Sequence, residues 1–204
     1  MKTGTHPPLR RYLLLAVFGL LIPIVAACTG RGGGQLPPDN VLYNGSASFG
    51  FSFSCQNGDL RIQLSYDDKG TNPLGTPFGI HGIVDQVDPV LESALCIDSN
   101  PPPVPHELTF LGRYYLTSSS APALFPDATT CPRSESDPNP LCRFEVTVID
   151  NDYDNAPSPG DFFEIMLSTG VCLDPADLSC STLPEGTVFY TRAGTLDSGN
   201  LTVD

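Results

Sequence analysis

The segment 150–161 concentrates residue types that bind a hard cation. It reads Asp-Asn-Asp-Tyr-Asp-Asn-Ala-Pro-Ser-Pro-Gly-Asp, so carboxylates stand at its first, third, fifth and twelfth positions. Alternate positions of such a loop turn inward together, and Ca²⁺ takes oxygen ligands at ~2.3–2.6 Å, which offsets the repulsion between the carboxylates. The spacing therefore predicts a structural calcium site with four side-chain ligands: Asp150, Asp152, Asp154 and Asp161.

A solvated turn is the alternative interpretation of this segment, because Asp and Asn favour turns. The segment also departs from the calcium loop of an EF-hand. Asn155 replaces the glycine of position 6, Pro157 stands at position 8, and Asp161 is shorter than the usual Glu. The flanking patterns are those of strands, so any likeness to an EF-hand would be local.

Motifs for catalysis or zinc binding are missing from the sequence. It contains no GxSxG, HExxH or P-loop pattern, and His81 and His106 have no recognisable catalytic partner. No CxxC pair accompanies these histidines, which argues against a zinc site. The many Asp residues follow no spacing that would select a glycosidase pair. The sequence therefore predicts a protein that is not an enzyme.

The first 27 residues have the pattern of a bacterial export signal. Basic residues come first, no acidic residue precedes Cys28, and an apolar run from Leu13 to Val25 is too short to span a bilayer. Val25-Ala26-Ala27-Cys28 reads as a lipobox, so we expect cleavage before Cys28 and acyl chains, such as palmitate, on that residue. Thr29 in place of Asp favours an outer-membrane or cell-surface location over the inner membrane.

The rest of the chain is predicted to be a tether, 28–40, followed by one domain, 41–204. Residues 29–38 are rich in Gly and Pro, a composition typical of linkers. Beyond the signal the chain holds 7 basic and 23 acidic residues, a charge of −16. This charge repels nucleic acid and anionic lipid headgroups, and it leaves cations, basic surfaces, neutral glycans or envelope proteins as partners.

Six cysteines remain after Cys28, an even number in an exported chain, which predicts three disulfides. Cys131 and Cys142 bracket one polar loop and Cys172 and Cys180 a shorter one, so each pair can close its own loop, leaving Cys55 with Cys96. Six cysteines allow fifteen pairings, and the connectivity stays open.

Alternation with period two recurs along the chain, and it predicts strands. Phe49, Phe51 and Phe53 share one face, and Leu64 and Tyr66 continue the pattern on a second strand across an Asn-Gly turn. Further strands are predicted at 80–87, 107–117, 142–150, 161–168, 186–192 and 199–203. This pattern predicts an all-β fold, a single antiparallel β-sandwich or small barrel-like domain stapled by disulfides, with the phenylalanines in its core.

The order of short motifs resembles the post-COAP domain, a secreted bacterial β-rich module of undefined role. The matching stretches are Phe-Gly-Phe at 49–51, Leu-Ser-Tyr-Asp-Asp at 64–68, Ile-His-Gly at 80–82, Thr-Phe-Leu-Gly at 109–112, Phe-Glu-Val-Thr-Val-Ile-Asp-Asn at 144–151, Pro-Gly-Asp-Phe-Phe-Glu-Ile at 159–165 and Ala-Gly-Thr-Leu-Asp-Ser-Gly-Asn-Leu at 193–201. The inserted Asp152-Tyr153-Asp154 and the loop between Cys131 and Cys142 depart from that pattern. The resemblance implies a β-rich fold and an extracytoplasmic setting but no activity.

These observations predict a non-enzymatic lipoprotein of the cell envelope with a structural, adhesion or binding role. The alternative is a carbohydrate-binding module at the cell surface, which requires exposed aromatic side chains. The candidates for that platform are Tyr114, Tyr115, Tyr153 and Phe125.

Overall fold

The fold is described from a computed structural model for residues 28–39, 41–56, 59–83, 106–117, 142–151, 160–169 and 187–203. Nine strands lie in these ranges: β1 Cys28–Leu36, β2 Ala47–Gln56, β3 Asp59–Asp68, β4 Phe78–Ile83, β5 Glu107–Leu116, β6 Cys142–Ile149, β7 Phe162–Thr169, β8 Val188–Thr195 and β9 Ser198–Val203. Within the described residues, no helix is long and apolar enough to cross a membrane.

The nine strands form one antiparallel sheet in the order β8-β7-β6-β5-β4-β3-β2-β1-β9. Strands that follow each other in the chain are neighbours, except that β9 returns to pair with β1 on the far side of β2. The sheet curls into a half-barrel. The all-β prediction is confirmed, whereas the described strands belong to a single sheet and do not form the two sheets of a sandwich.

Aromatic side chains from opposite sides of the curl fill the interior. The Phe49 and Phe163 rings, from β2 and β7, stack with centroids 3.7 Å apart, and Phe51 stacks on Phe110 of β5 at 5.5 Å. Alternation on each strand sends one set of side chains inward, where they are shielded from water. The predicted placement of Phe49, Phe51 and Phe53 in the core is confirmed.

Strand β1 replaces much of the predicted tether. Its glycines Gly30, Gly32 and Gly34 pair with Phe53, Phe51 and Phe49 of β2, and paired residues point to the same side of a sheet. These three inward positions therefore hold no side chain. Added bulk would meet the Phe51 ring at Gly30 and residues of β9 at Gly32 and Gly34. A Cβ atom on Gly30 would lie 2.5 Å from the Leu108 side chain. Glycine-rich composition here makes a tightly packed strand, not a flexible linker.

A buried ion pair ties β8 to the opposite side of the curl. Arg192 Nη1 lies 3.1 Å from Asp68 Oδ1, with both side chains at most 2% exposed. Arg192 Nη2 also donates to the carbonyls of Pro37 at 2.9 Å and Gly45 at 2.7 Å, and the Tyr190 hydroxyl donates to Asp68 Oδ2 at 2.7 Å. The Tyr66 hydroxyl lies 2.6 Å from the Tyr190 hydroxyl, and we call this group, including Tyr66, the arginine lock. It joins the end of β3, strand β8 and the segment that follows β1.

Candidate functional site

A groove of about 1000 Å³ opens on the outer face of strands β2 to β5. Outward positions on β2 and β3 carry small or polar side chains, so little bulk fills this part of the surface. The polar lining comes from Ser52, Ser54, Gln63, Ser65, His81 and Tyr115. The concavity therefore follows from the same alternation that buries the phenylalanines on the other face.

Two aromatic rings stand side by side in the groove. Register pairs Ser65 with His81 and His81 with Tyr115 across three adjacent strands. The ring centroids of His81 and Tyr115 are 5.4 Å apart with planes inclined by 35°. His81 is exposed and Tyr115 is half-buried. Together they present a ring platform beside hydroxyl and amide groups.

Arginines gather on the outer face at the end of the sheet where β1 begins. Arg31 pairs with Ser52, and the same row continues through Gln63 and Ile83 to Arg113 and Arg143. Arg61 lines the groove one step closer to the start of β1. Of these four, Arg31 and Arg61 are exposed, whereas Arg113 is only 1% exposed. We call them the arginine band, and it contrasts with the acidic charge of the whole chain.

The groove is suited to binding an uncharged or anionic polar ligand. A ring platform stacks against the apolar face of a ring-shaped ligand, hydroxyl and amide groups pair with its polar edge, and guanidinium groups attract anions. Among the described residues that line the groove, none is a carboxylate.

Two of the four predicted calcium ligands lie at the base of their loop, where they cover the edge of β9. Asp161, just before β7, accepts from the amide of Leu201 at 2.8 Å through Oδ2 and from the amide of Asn151 at 3.1 Å through Oδ1. Asp150, just after β6, accepts from the amide of Val203 at 3.4 Å. Both are buried. We call this arrangement the carboxylate seam, since it connects the β9 edge to β6 and β7.

The other two predicted ligands, Asp152 and Asp154, lie outside the described residues. Within the described ranges, no group of three or more His, Cys, Asp or Glu side chains is arranged to hold a metal ion. The calcium site stays a prediction. What sequence reasoning missed is the role of Asp150 and Asp161 toward β9, because this contact depends on how the sheet curls.

The predicted cysteine pairs fall mostly outside the described ranges. Cys55 and Cys142 are fully buried, in β2 and β6. The other four, Cys96, Cys131, Cys172 and Cys180, are outside the described part of the chain, and the three disulfides stay a prediction. Cys28 is the first residue of β1 and pairs in register with Cys55.

The structure separates the aromatic residues proposed as a sugar platform. Tyr114 points into the core and is 2% exposed, so its prediction as an exposed platform is wrong. Tyr115, its neighbour, lies in the groove. Tyr153 and Phe125 are outside the described residues. His81, which sequence reasoning set aside, stands beside Tyr115, whereas His106 precedes β5 and its carbonyl accepts from the amide of Asp150 at 2.9 Å.

The chain matches no protein-family model, no curated protein and no solved structure. The resemblance to the post-COAP domain therefore stays a prediction.

Proposed function

We propose that this protein is a non-enzymatic binding module of the bacterial cell envelope that takes carbohydrate in its outer groove. The export signal and the lipobox support an extracytoplasmic location, with acyl chains on Cys28 as the membrane anchor. An adhesion or scaffold role needs such a binding surface as well, and the groove supplies it.

The observation that carries this proposal is the pairing of His81 with Tyr115 inside the groove. Sugars combine an apolar ring face with a rim of hydroxyl groups. A pair of inclined rings matches the first feature, and the side chains of Ser52, Gln63 and Ser65 match the second.

Calcium is a separate part of the proposal and concerns stability. An ionised carboxylate offers about four lone-pair sites, so Asp150 and Asp161 can accept main-chain amides and still contact a cation. They are the right donors for Ca²⁺, which prefers oxygen. With Asp152 and Asp154 they would hold an ion that stiffens the link between β6 and β7 and the edge of β9.

Carbohydrate binding is tested with the mature protein on a glycan array and by calorimetry with the glycans it retains. We expect Tyr115→Ala to weaken binding about tenfold or more, because removing an aromatic anchor from a binding site commonly costs over 1 kcal/mol. Val188→Ala, at an exposed site on β8, is the matched control and leaves binding unchanged. Binding that survives both Tyr115→Ala and His81→Ala would place the ligand elsewhere.

Anchoring is tested by metabolic labelling with palmitate. The wild-type chain incorporates label and sediments with membranes, whereas Cys28→Ser loses the label and the membrane association. Equal labelling of both proteins would contradict the anchor.

A further inference from the structure

The start of β1 fixes how far the groove stands from the proposed membrane anchor. Because β1 begins at Cys28 itself, no free segment separates this residue from the sheet. Cys28 pairs with Cys55, and Cys55 with Leu60, so these three define the row nearest the anchor. Arg61 lies on the next row, and the groove begins there.

The arginines and the ring platform lie at different heights above that row. Arg61 lines the groove, and Arg31 lies beside it, paired with Ser52. A strand rises ~3.3 Å per residue, so Arg61 lies ~3 Å, Arg31 ~10 Å and the row of Ser65, His81 and Tyr115 ~17 Å along the strands. Since strands tilt in a curled sheet, these distances are upper limits on height above the membrane surface. The whole groove is within reach of lipid headgroups.

The positively charged side chains and the aromatic rings follow the same order from the anchor row outward. The arginine band lies close to the anchor row, and the ring platform lies beyond it. The chain as a whole is acidic, so a bare anionic membrane would repel most of its surface. Guanidinium groups near the anchor pair well with phosphate, which they contact in bidentate fashion.

We propose that the groove binds the headgroup of a phosphoglycolipid in the membrane that carries the protein, with the phosphate beside Arg31 and Arg61 and the sugar on His81 and Tyr115. In such a lipid the phosphate lies next to the acyl chains and the sugars lie farther out. The arginines and the ring platform follow the same order from the anchor row outward. This inference rests on the proposed function, since it requires the anchor on Cys28 and carbohydrate in the groove.

The test uses the mature acylated protein in phosphatidylcholine vesicles. The probe is a lipid whose disaccharide is attached through a phosphodiester and carries a photoactivatable group, and a sugar-free phosphatidylglycerol with the same photoactivatable group is the charge-matched control. We expect crosslinking to the glycolipid to be about fivefold or more above crosslinking to the control lipid. Tyr115→Ala and the double variant Arg31→Gln/Arg61→Gln should each lose this excess. Equal crosslinking of both lipids would overturn the inference.

A linker variant separates the inference from the proposed function. Inserting a long flexible Gly-Ser segment between Cys28 and Thr29 lifts the groove away from the headgroups and lowers their effective concentration, so crosslinking falls by about fivefold or more. Calorimetry with the soluble disaccharide is the second measurement, and it stays unchanged in this variant.

The outcomes are distinct. In one outcome the protein binds the soluble sugar normally, and neither the linker nor the two arginine substitutions change glycolipid capture. This outcome overturns the headgroup inference and leaves carbohydrate binding in place. Failure to bind both the soluble sugar and the glycolipid overturns the proposed function as well. An unchanged melting temperature of each variant shows that the sheet is intact.

Discussion

The arginine lock and the carboxylate seam both bury carboxylates to hold the curled sheet together, but they use different partners. In the lock, Asp68 contacts the guanidinium of Arg192 and the hydroxyl of Tyr190. In the seam, Asp150 and Asp161 accept main-chain amides, including two from β9. An arginine cancels a full charge, whereas an amide supplies only a partial one. The lock therefore pairs its carboxylate with a full opposite charge, whereas the contacts of the seam with β9 come from main-chain amides.

Breaking the lock is expected to have the largest effect on stability. Arg192→Met leaves Asp68 buried without its counter-charge, and removing one partner of a buried pair costs about 3–5 kcal/mol. The measurement is the free energy of unfolding in urea, followed by circular dichroism.

Arg31→Met is the matched control for the lock, because Arg31 is exposed on β1, and we expect a change within about 0.5 kcal/mol. The double variant Asp68→Leu/Arg192→Met should recover part of the loss, since an apolar pair leaves no buried charge. A loss below about 1 kcal/mol in Arg192→Met would show that the ion pair does not hold β8 in place.

Breaking the seam costs less, because hydrogen bonds and not a charge pair are lost. Asp161→Asn offers one acceptor oxygen to the two amides of Leu201 and Asn151, and leaving a buried donor unsatisfied costs about 1–3 kcal/mol. Urea unfolding measures the loss, and faster hydrogen exchange at the Leu201 amide locates it. Asp197→Asn, at the exposed turn between β8 and β9, is the control. If Leu201 exchanges at the wild-type rate in Asp161→Asn, the seam does not protect β9.

The pH dependence of stability above pH 10 distinguishes the arginine lock from the carboxylate seam, because the lock contains buried tyrosines. Burial raises the pKa of Tyr66 and of Tyr190, both in the lock, far above the usual 10. The unfolded chain loses these protons above pH 10 while the folded chain keeps them. Their contribution is therefore complete below pH 10, and stability falls as the pH rises further, by about 1.4 kcal/mol per unit for each tyrosine.

Unfolding free energies near pH 9 and near pH 11 measure this slope. Tyr190→Phe should flatten it, since one titrating hydroxyl is removed, whereas Asp161→Asn should leave it unchanged because the described seam contains no tyrosine. A slope that is the same in Tyr190→Phe and wild type would contradict the assignment.

The sequence predicted most of the strands because the pattern that indicates a strand lies within the strand itself. Period-two alternation in β2, β3 and β6 reports which face is buried, and the predicted ranges agree with the structure to within a few residues. Strand β1 was missed because three inward glycines carry no alternation. The glycines of β1 pack against Leu108, Phe51 and strand β9, and a pattern within one segment does not contain these partners.

The sites depend on register and curl, which explains why sequence reasoning found only parts of them. It selected Asp150 and Asp161 from the composition of one loop, but their contacts with β9 arise when distant strands meet. It named Tyr115 without His81, because only the pairing of β4 with β5 places the two rings side by side. Arg192 and Asp68 lie far apart in the chain, and no local pattern connects them.

Calcium gives the smallest expected effect and the sharpest comparison of the two carboxylate sites. At five times its Kd, an ion that binds only the folded chain adds about 1 kcal/mol to the free energy of unfolding, which raises the melting temperature by a few degrees.

Asp152→Asn should abolish this rise and leave the stability in chelator unchanged, because the residue would act through the ion alone. Asp161→Asn should lower stability in chelator as well, because it also holds β9. Arg192→Met should lower stability but keep the calcium-dependent rise. If calcium stabilises wild type and Asp152→Asn equally, 150–161 is a solvated turn and the seam acts without a metal.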